Sequence, residues 1–153
     1  MKSQQVIAAV KQDRWTRITG KHGNAPFMFR FREGFCDVTD YAGYSRLLII
    51  TWGYVHDGSS GIPDEEELSQ LKDFENHFVD AFEHDFLAVL TAVLTENGTR
   101  QWWVYTSDVA ECERRINAMP QLAERYPIEL AAQTDTSWEF LKNKIKTICC
   151  GET

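Results

Sequence analysis

The amino-acid sequence predicts an α+β fold: a ferredoxin-like split βαβ sandwich with an antiparallel sheet, an extra N-terminal β-hairpin and a C-terminal helix. Apolar stripes at helical spacing alternate with β-branched and aromatic runs, and the central elements follow the order strand, helix, strand, strand, helix, strand. A chain of 153 residues with 43% hydrophobic content suits one ordinary core. We therefore expect a single domain over 1–153, with the hairpin at 13–32, the ferredoxin-like core at 45–133 and the last helix at 136–149.

Two runs near the N-terminus predict the hairpin. Residues 13–20 are a short strand, and the turn KHGNA follows them. The next run, PFMFRFR, alternates in the way that is typical of a half-buried strand, because Phe27, Phe29 and Phe31 share one face. The stretch MKSQQVIAAVKQ before them is too short an apolar run for a signal peptide.

The strongest predicted strand is SRLLIITWGYVH, residues 45–56, which is apolar on both faces and therefore central. One face carries the small residues Thr51 and Gly53, which suit close helix packing. We expect that face to lie under the helices. The other face would then be open, and it carries Trp52, Tyr54 and His56.

Three helices follow from caps and apolar stripes. Asp64 with Glu67 resembles a capping box, and the helix after it is predicted to end near His84. Asp108 begins the second helix, and Thr136 with Glu139 is predicted to cap the third. The first helix carries a buried stripe of leucines and phenylalanines at three- and four-residue steps: Leu68, Leu71, Phe74, Phe78 and Phe82.

Between the first two helices lies a predicted hairpin whose turn is Asn97-Gly98. Its second strand contains the adjacent Trp102 and Trp103, whose side chains must point to opposite faces of a sheet. The topology makes this strand the antiparallel neighbour of 45–56. We assign Trp102 and Val104 to the helix-packed core, and Gln101, Trp103 and Tyr105 to the open face. The candidate ligand or partner surface therefore comprises Trp52, Tyr54, His56, Trp103 and Tyr105.

Charge and motifs argue against several classes of function. The net charge is −7, and residues 64–86 alone hold nine acids and one lysine, so nucleic acid is an unexpected partner. No stretch approaches the length of a membrane span, and the four cysteines lack zinc-ligand spacing. We expect a cytoplasmic protein with free thiols, no cofactor and no metal site. No catalytic motif predicts an enzyme.

Three segments of the chain carry motifs of a known family: GIPDEEELSQLKDFENHF, LTENGTRQWWVYTSD and DTSWEFL, with Tyr105-Thr106 and the pair Asp135 and Trp138 at family positions. In this order they resemble the bacterial domain-of-unknown-function 695 family. The resemblance supports the fold and implies no established activity. It also suggests a loose relation to regulators that bind and inhibit ribonuclease E, although the strongly acidic tail of those regulators is absent from this sequence.

Three hypotheses about function follow. The leading one is a small non-enzymatic domain that works through protein contacts, as a homodimer or as a regulator, because aromatic residues are enriched at such interfaces. The second is a small-ligand binder or enzyme with an aromatic cleft beside Trp52, His56, Trp103 and Tyr105. The third is a regulator of RNA metabolism.

Overall fold

The computed structural model describes residues 2–54, 63–119 and 128–149, and within these ranges the side chains of His22 and Cys149 are not described. A short 3₁₀ helix, Glu33–Asp37, follows the second strand. The other elements, in chain order, are α1 (Gln4–Gln12), β1 (Trp15–His22), β2 (Ala25–Arg32), β3 (Arg46–Gly53), α2 (Glu65–Glu83), β4 (Ala88–Glu96), β5 (Thr99–Thr106), α3 (Val109–Ala118), β6 (Ile128–Thr134) and α4 (Glu139–Cys149).

All six strands join one antiparallel sheet in the order β1-β2-β4-β5-β3-β6. The α+β class is therefore confirmed. The two strands predicted to be central neighbours, β3 and β5, do pair antiparallel, with Ile50 opposite Trp102. The predicted N-terminal hairpin extends the sheet, because β2 pairs with β4.

Two hydrophobic clusters lie on the two faces of the sheet. The face under α2 and α3 contains Trp102 and Val104, as predicted, together with the phenylalanine stripe of α2. The other face contains Trp103 and Tyr105, and α1 and α4 cover it. Both faces are closed, so neither is the open aromatic surface that the sequence suggested.

The predicted faces of β3 were wrong. Trp52 and Tyr54 lie on the face under α2 and α3, together with Leu48 and Ile50, and the Trp52 ring is 5.3 Å from that of Phe74. Thr51, expected against the helices, shares the opposite face with Ile49. The error has a physical reason: because both faces of β3 are packed, side-chain size does not distinguish them.

The local signals at element ends were more informative. Asp64 accepts a hydrogen bond from the Glu67 N–H at 2.9 Å, and Asp108 accepts one from Glu111 at 3.0 Å. Asn97 and Gly98 adopt positive φ angles of 50° and 80°, as the predicted turn requires. These caps and this turn are confirmed.

Two features at the ends of the chain differ from expectation. The helix α1 was not predicted, although Ser3 caps it and Val6, Ala9 and Val10 form its buried stripe. The predicted cap Thr136 was wrong, because Asp135 instead accepts the first backbone N–H groups of α4.

Candidate functional site

The residues predicted to form a ligand or partner surface do not come together. Trp103 and Tyr105 are 1% and 0% exposed on the face under α4. Trp52 and Tyr54 are 3% and 7% exposed on the opposite face. His56 lies outside the described residues. The sheet itself separates the two pairs, so these four aromatic residues form parts of two cores.

The cover of Trp103 comes from the chain itself. Its ring lies 5.0 Å from that of Phe140 in α4 and 5.5 Å from that of Phe29 in β2. Its indole N–H donates to Gln101 Oε1 at 3.0 Å. A buried tryptophan has one hydrogen-bond donor, its indole N–H, and that donor needs a partner. Gln101 supplies the partner, so Trp103 needs no ligand to satisfy its indole N–H.

The family positions Tyr105, Asp135 and Trp138 form a buried clamp. The Tyr105 hydroxyl donates to Asp135 Oδ2 at 2.6 Å, and Asp135 also accepts the N–H groups of Glu139 and Phe140. Trp138 stacks on Tyr105, and its indole N–H donates to the Tyr44 carbonyl at 2.8 Å. One carboxylate thus caps α4 and holds β5, which gives these positions a structural role. Of the family segment GIP, only Pro63 lies within the described residues.

Arg30 of β2 points to the face of the sheet that α2 covers, and it pairs with Glu75 of α2. The same carboxylate oxygen accepts the Trp102 indole N–H at 2.8 Å. The Arg30 guanidinium lies over the Trp15 ring, 4.7 Å from its centroid. Burial lowers the pKa of Arg30, and the carboxylate of Glu75 opposes that effect. The hairpin is therefore joined to α2 through a charged contact.

Arg32 makes a second and more buried connection. It is 4% exposed and donates to both carboxylate oxygens of Glu83, at 2.8 and 3.0 Å. It also donates to Asp13 Oδ1 and to the Leu90 carbonyl, while Glu83 accepts the Leu90 N–H. The guanidinium and its main carboxylate are thus supplied with several partners, as a buried ion pair requires.

Arg115 of α3 joins the two helices on this face. It donates to the Ala81 carbonyl of α2 and to Asp85 Oδ2, both at 2.8 Å, and to Glu111 Oε2 of its own helix at 2.9 Å. Hydrogen bonds from Arg114 and Arg115 lower the pKa of Glu111 to about 2. These partly exposed charges orient α3 against the end of α2. In the part of the chain that the structure describes, no three histidine, cysteine or acidic side chains group as metal ligands would.

The two edges of the sheet differ in charge. Edge strand β1 carries Arg17 and Lys21. At the other edge, β6 has no charged residue after Glu129, and its residues 131–134 are exposed. Roughly half of the N–H and C=O groups of an antiparallel edge strand point away from its neighbour. The described residues therefore include a neutral, accessible sheet edge.

These features define a class of protein: an α+β domain whose six-stranded antiparallel sheet is covered by helices on both faces. The chain belongs to the DUF695 family, since the model described as "Family of unknown function (DUF695)" matches residues 13–143. No curated protein and no solved structure matches it. Within the described ranges, no helix has the length and apolar character needed to cross a membrane.

Proposed function

We propose that this DUF695 chain is a cytoplasmic, non-enzymatic protein-interaction module of a bacterial cell, and that the edge of β6 is its contact surface. The occupant that fits this edge is a second copy of the chain. The observation that carries the proposal is the exposed, uncharged backbone edge at residues 131–134. Such an edge is a template for strand addition.

Antiparallel pairing of two β6 strands around a two-fold axis at Ala131 is self-complementary. Glu129 then faces the partner's Gln133, so a carboxylate meets an amide donor rather than its own copy. Leu130 faces the partner's Ala132 in the same register. No like charges meet, and the outward backbone groups of both strands are satisfied.

The opposite edge is unsuited to the same contact. Antiparallel pairing of two β1 strands would place Arg17 of each chain next to Lys21 of the other, so that positive charges meet. Basic side chains on an edge strand are a common protection against strand addition. The charge difference between the edges therefore favours one closed dimer over an open chain of subunits.

Sedimentation velocity over a concentration series tests this proposal. A short strand interface is at the small end of specific contacts, so we expect a weak dimer that appears at roughly 10–100 µM. Ala131→Lys places two ammonium groups at the axis and should weaken dimerisation at least about tenfold. Asn24→Lys is the matched control, because Asn24 is exposed in the turn between β1 and β2, and these strands lie at the opposite end of the sheet from β6.

A monomer at every concentration, or equal weakening by both lysine variants, would contradict the proposal. Hydrogen exchange adds a local measurement: outward amides of β6 should be protected only at high concentration. The aromatic-cleft hypothesis has less support, because its three described residues, Trp52, Trp103 and Tyr105, are at most 3% exposed. The suggested relation to ribonuclease E regulators stays a prediction.

A further inference from the structure

A cavity of about 130 Å³ lies over strands β1, β2, β4 and β5, on the face of the sheet that α2 covers. It is distinct from the β6 edge and from the aromatic clamp. Strand β1 is next to β2 alone, at the far edge of the sheet from β6. The side chains that bear on its chemistry are Arg17, Thr19, Met28, Arg30, Thr95 and Arg100.

The strand register explains why three arginines converge there. Arg17 lies directly opposite Arg30, and Thr19 lies opposite Met28. Met28 is opposite Thr95, which in turn is opposite Arg100. These residues form two adjacent rows across the sheet, and strand alternation directs them to one face. Arg17 and Arg100 thus line the same cavity, although they are 83 positions apart in the chain.

Arg100 is the most informative residue of the cavity. It is 9% exposed, and its Nε donates to Thr95 Oγ1 at 2.7 Å. Within the described residues, that is the only hydrogen bond it donates, and no carboxylate pairs with it. A guanidinium stays charged in proteins and has five N–H donors. The terminal nitrogens of Arg100 are not among the buried side-chain atoms that lack a partner, so they reach solvent at the cavity. These nitrogens are therefore available to a ligand.

The charges around Arg100 make the cavity more positive and therefore favour an anionic ligand. Arg17 is exposed and has no ion pair among the described residues, while Arg30 is balanced by Glu75. Like charges directly opposite on antiparallel strands destabilise a sheet. Burial lowers the pKa of Arg100, and the charge of Arg30 lowers it further. After the Glu75 charge is counted, the cavity has a surplus of two positive charges.

We propose that this cavity binds the phosphoryl group of a small phosphorylated molecule. A phosphate monoester carries nearly two negative charges at neutral pH, which matches the surplus, whereas a carboxylate carries one. Its oxygens accept from the planar forks of Arg17 and Arg100, and the Thr19 hydroxyl is a further donor. The apolar side chains of Met28 and Val93 suit the organic part of the ligand.

Calorimetric titration with phenyl phosphate tests the proposal, with benzoate as the matched carboxylate. We expect saturable binding of one phenyl phosphate per chain and at least about tenfold weaker binding of benzoate. Arg17→Gln should lower the affinity about tenfold or more. Arg14→Gln is the control: Arg14 is exposed, carries the same charge and lies outside the cavity lining, so affinity should change less than about twofold.

Arg100→Lys is a second variant that keeps the charge and removes the planar fork. It should also weaken phenyl phosphate binding, and its thermal unfolding must remain cooperative for the comparison to count. Backbone amide NMR should place the largest ligand-induced shifts at Thr95 and Arg100. Absence of saturable binding, equal binding of benzoate, or equal losses in Arg17→Gln and Arg14→Gln would overturn the proposal.

Discussion

Tyr105 and Trp138 stack with their ring centroids 4.3 Å apart and their planes 18° from parallel. The two residues belong to β5 and to the segment before α4, and the Asp135 carboxylate accepts hydrogen bonds from both β5 and α4. Trp138 adopts a positive φ of 59°, which is unfavourable for a bulky residue. The stack and the Tyr44 carbonyl hold it in that conformation, so the clamp determines where α4 begins.

Tyr105→Phe removes only the hydroxyl of the clamp. Because that hydroxyl donates to the carboxylate of Asp135, we expect a loss of about 1.5–3 kcal/mol in the free energy of unfolding. Tyr41→Phe is the comparison, since its hydroxyl donates to the neutral Val38 carbonyl and should contribute about 0.5–1.5 kcal/mol. Urea denaturation measures both, and a larger effect at Tyr41 would contradict this account.

Arg32 and Glu83 should show strong energetic coupling. Arg32→Met leaves Glu83 buried without its main partner and is expected to cost about 3–5 kcal/mol. The double change Arg32→Met with Glu83→Met should cost less than the sum of the single changes, because it leaves no buried carboxylate at position 83 without its guanidinium partner. Chemical denaturation of the four proteins gives the coupling energy. A strictly additive cycle would mean that the pair contributes nothing together.

Alkaline pH should destabilise the protein through its buried tyrosines. Burial raises the pKa of Tyr44 to about 12, and burial with the Asp135 contact raises that of Tyr105. The unfolded chain releases these protons from about pH 10, so stability is complete below that pH and falls as pH rises. Each group contributes a slope of up to about 1.4 kcal/mol per pH unit.

Urea midpoints at pH 9, 10 and 11 measure this fall. Tyr44→Phe should make the slope shallower while lowering stability at pH 8, because its hydroxyl donates to the Phe86 carbonyl at 2.8 Å. An unchanged slope in that variant would show that Tyr44 is not among the groups responsible.

The two cysteines whose side chains the structure describes, Cys36 and Cys112, should differ in reactivity. Cys112 is fully buried, and burial raises its pKa to about 11, whereas Cys36 is exposed. The thiolate is the reactive form, so iodoacetamide should label Cys36 at neutral pH well before Cys112. Peptide mass spectrometry distinguishes the sites, and labelling in urea is the control in which both should react. Comparable native rates would contradict the burial of Cys112. The side chains of Cys149 and Cys150 lie outside the described part.

The features that could be predicted depend on residues that lie within a few positions of one another in the sequence. The Asp64 and Asp108 caps, the Asn97-Gly98 turn and the phenylalanine stripe of α2 depend on neighbours along the chain. The placement of Trp102 and Trp103 on opposite faces follows from the geometry of any strand. The adjacency of β3 and β5 followed from the order of elements, and it was confirmed.

The features that could not be predicted depend on register between distant strands. Trp52 and Tyr54 were placed on the wrong face because β3 is packed on both sides. The arginine cavity depends on Arg17 and Arg100 coming together, and no local motif indicates that. The helix α1 did carry a signal, since Ser3, Val6 and Val10 have the spacing of a capped amphipathic helix.

The adjacent Trp102 and Trp103 fill two separate cores from one stretch of backbone. Any displacement of β5 along its axis would move both rings at once, so we expect the two cores to loosen together. The two faces should therefore melt in a single cooperative transition, and the β5 amides should be among the slowest to exchange. The doubled tryptophan thus makes the two faces of the sheet one folding unit.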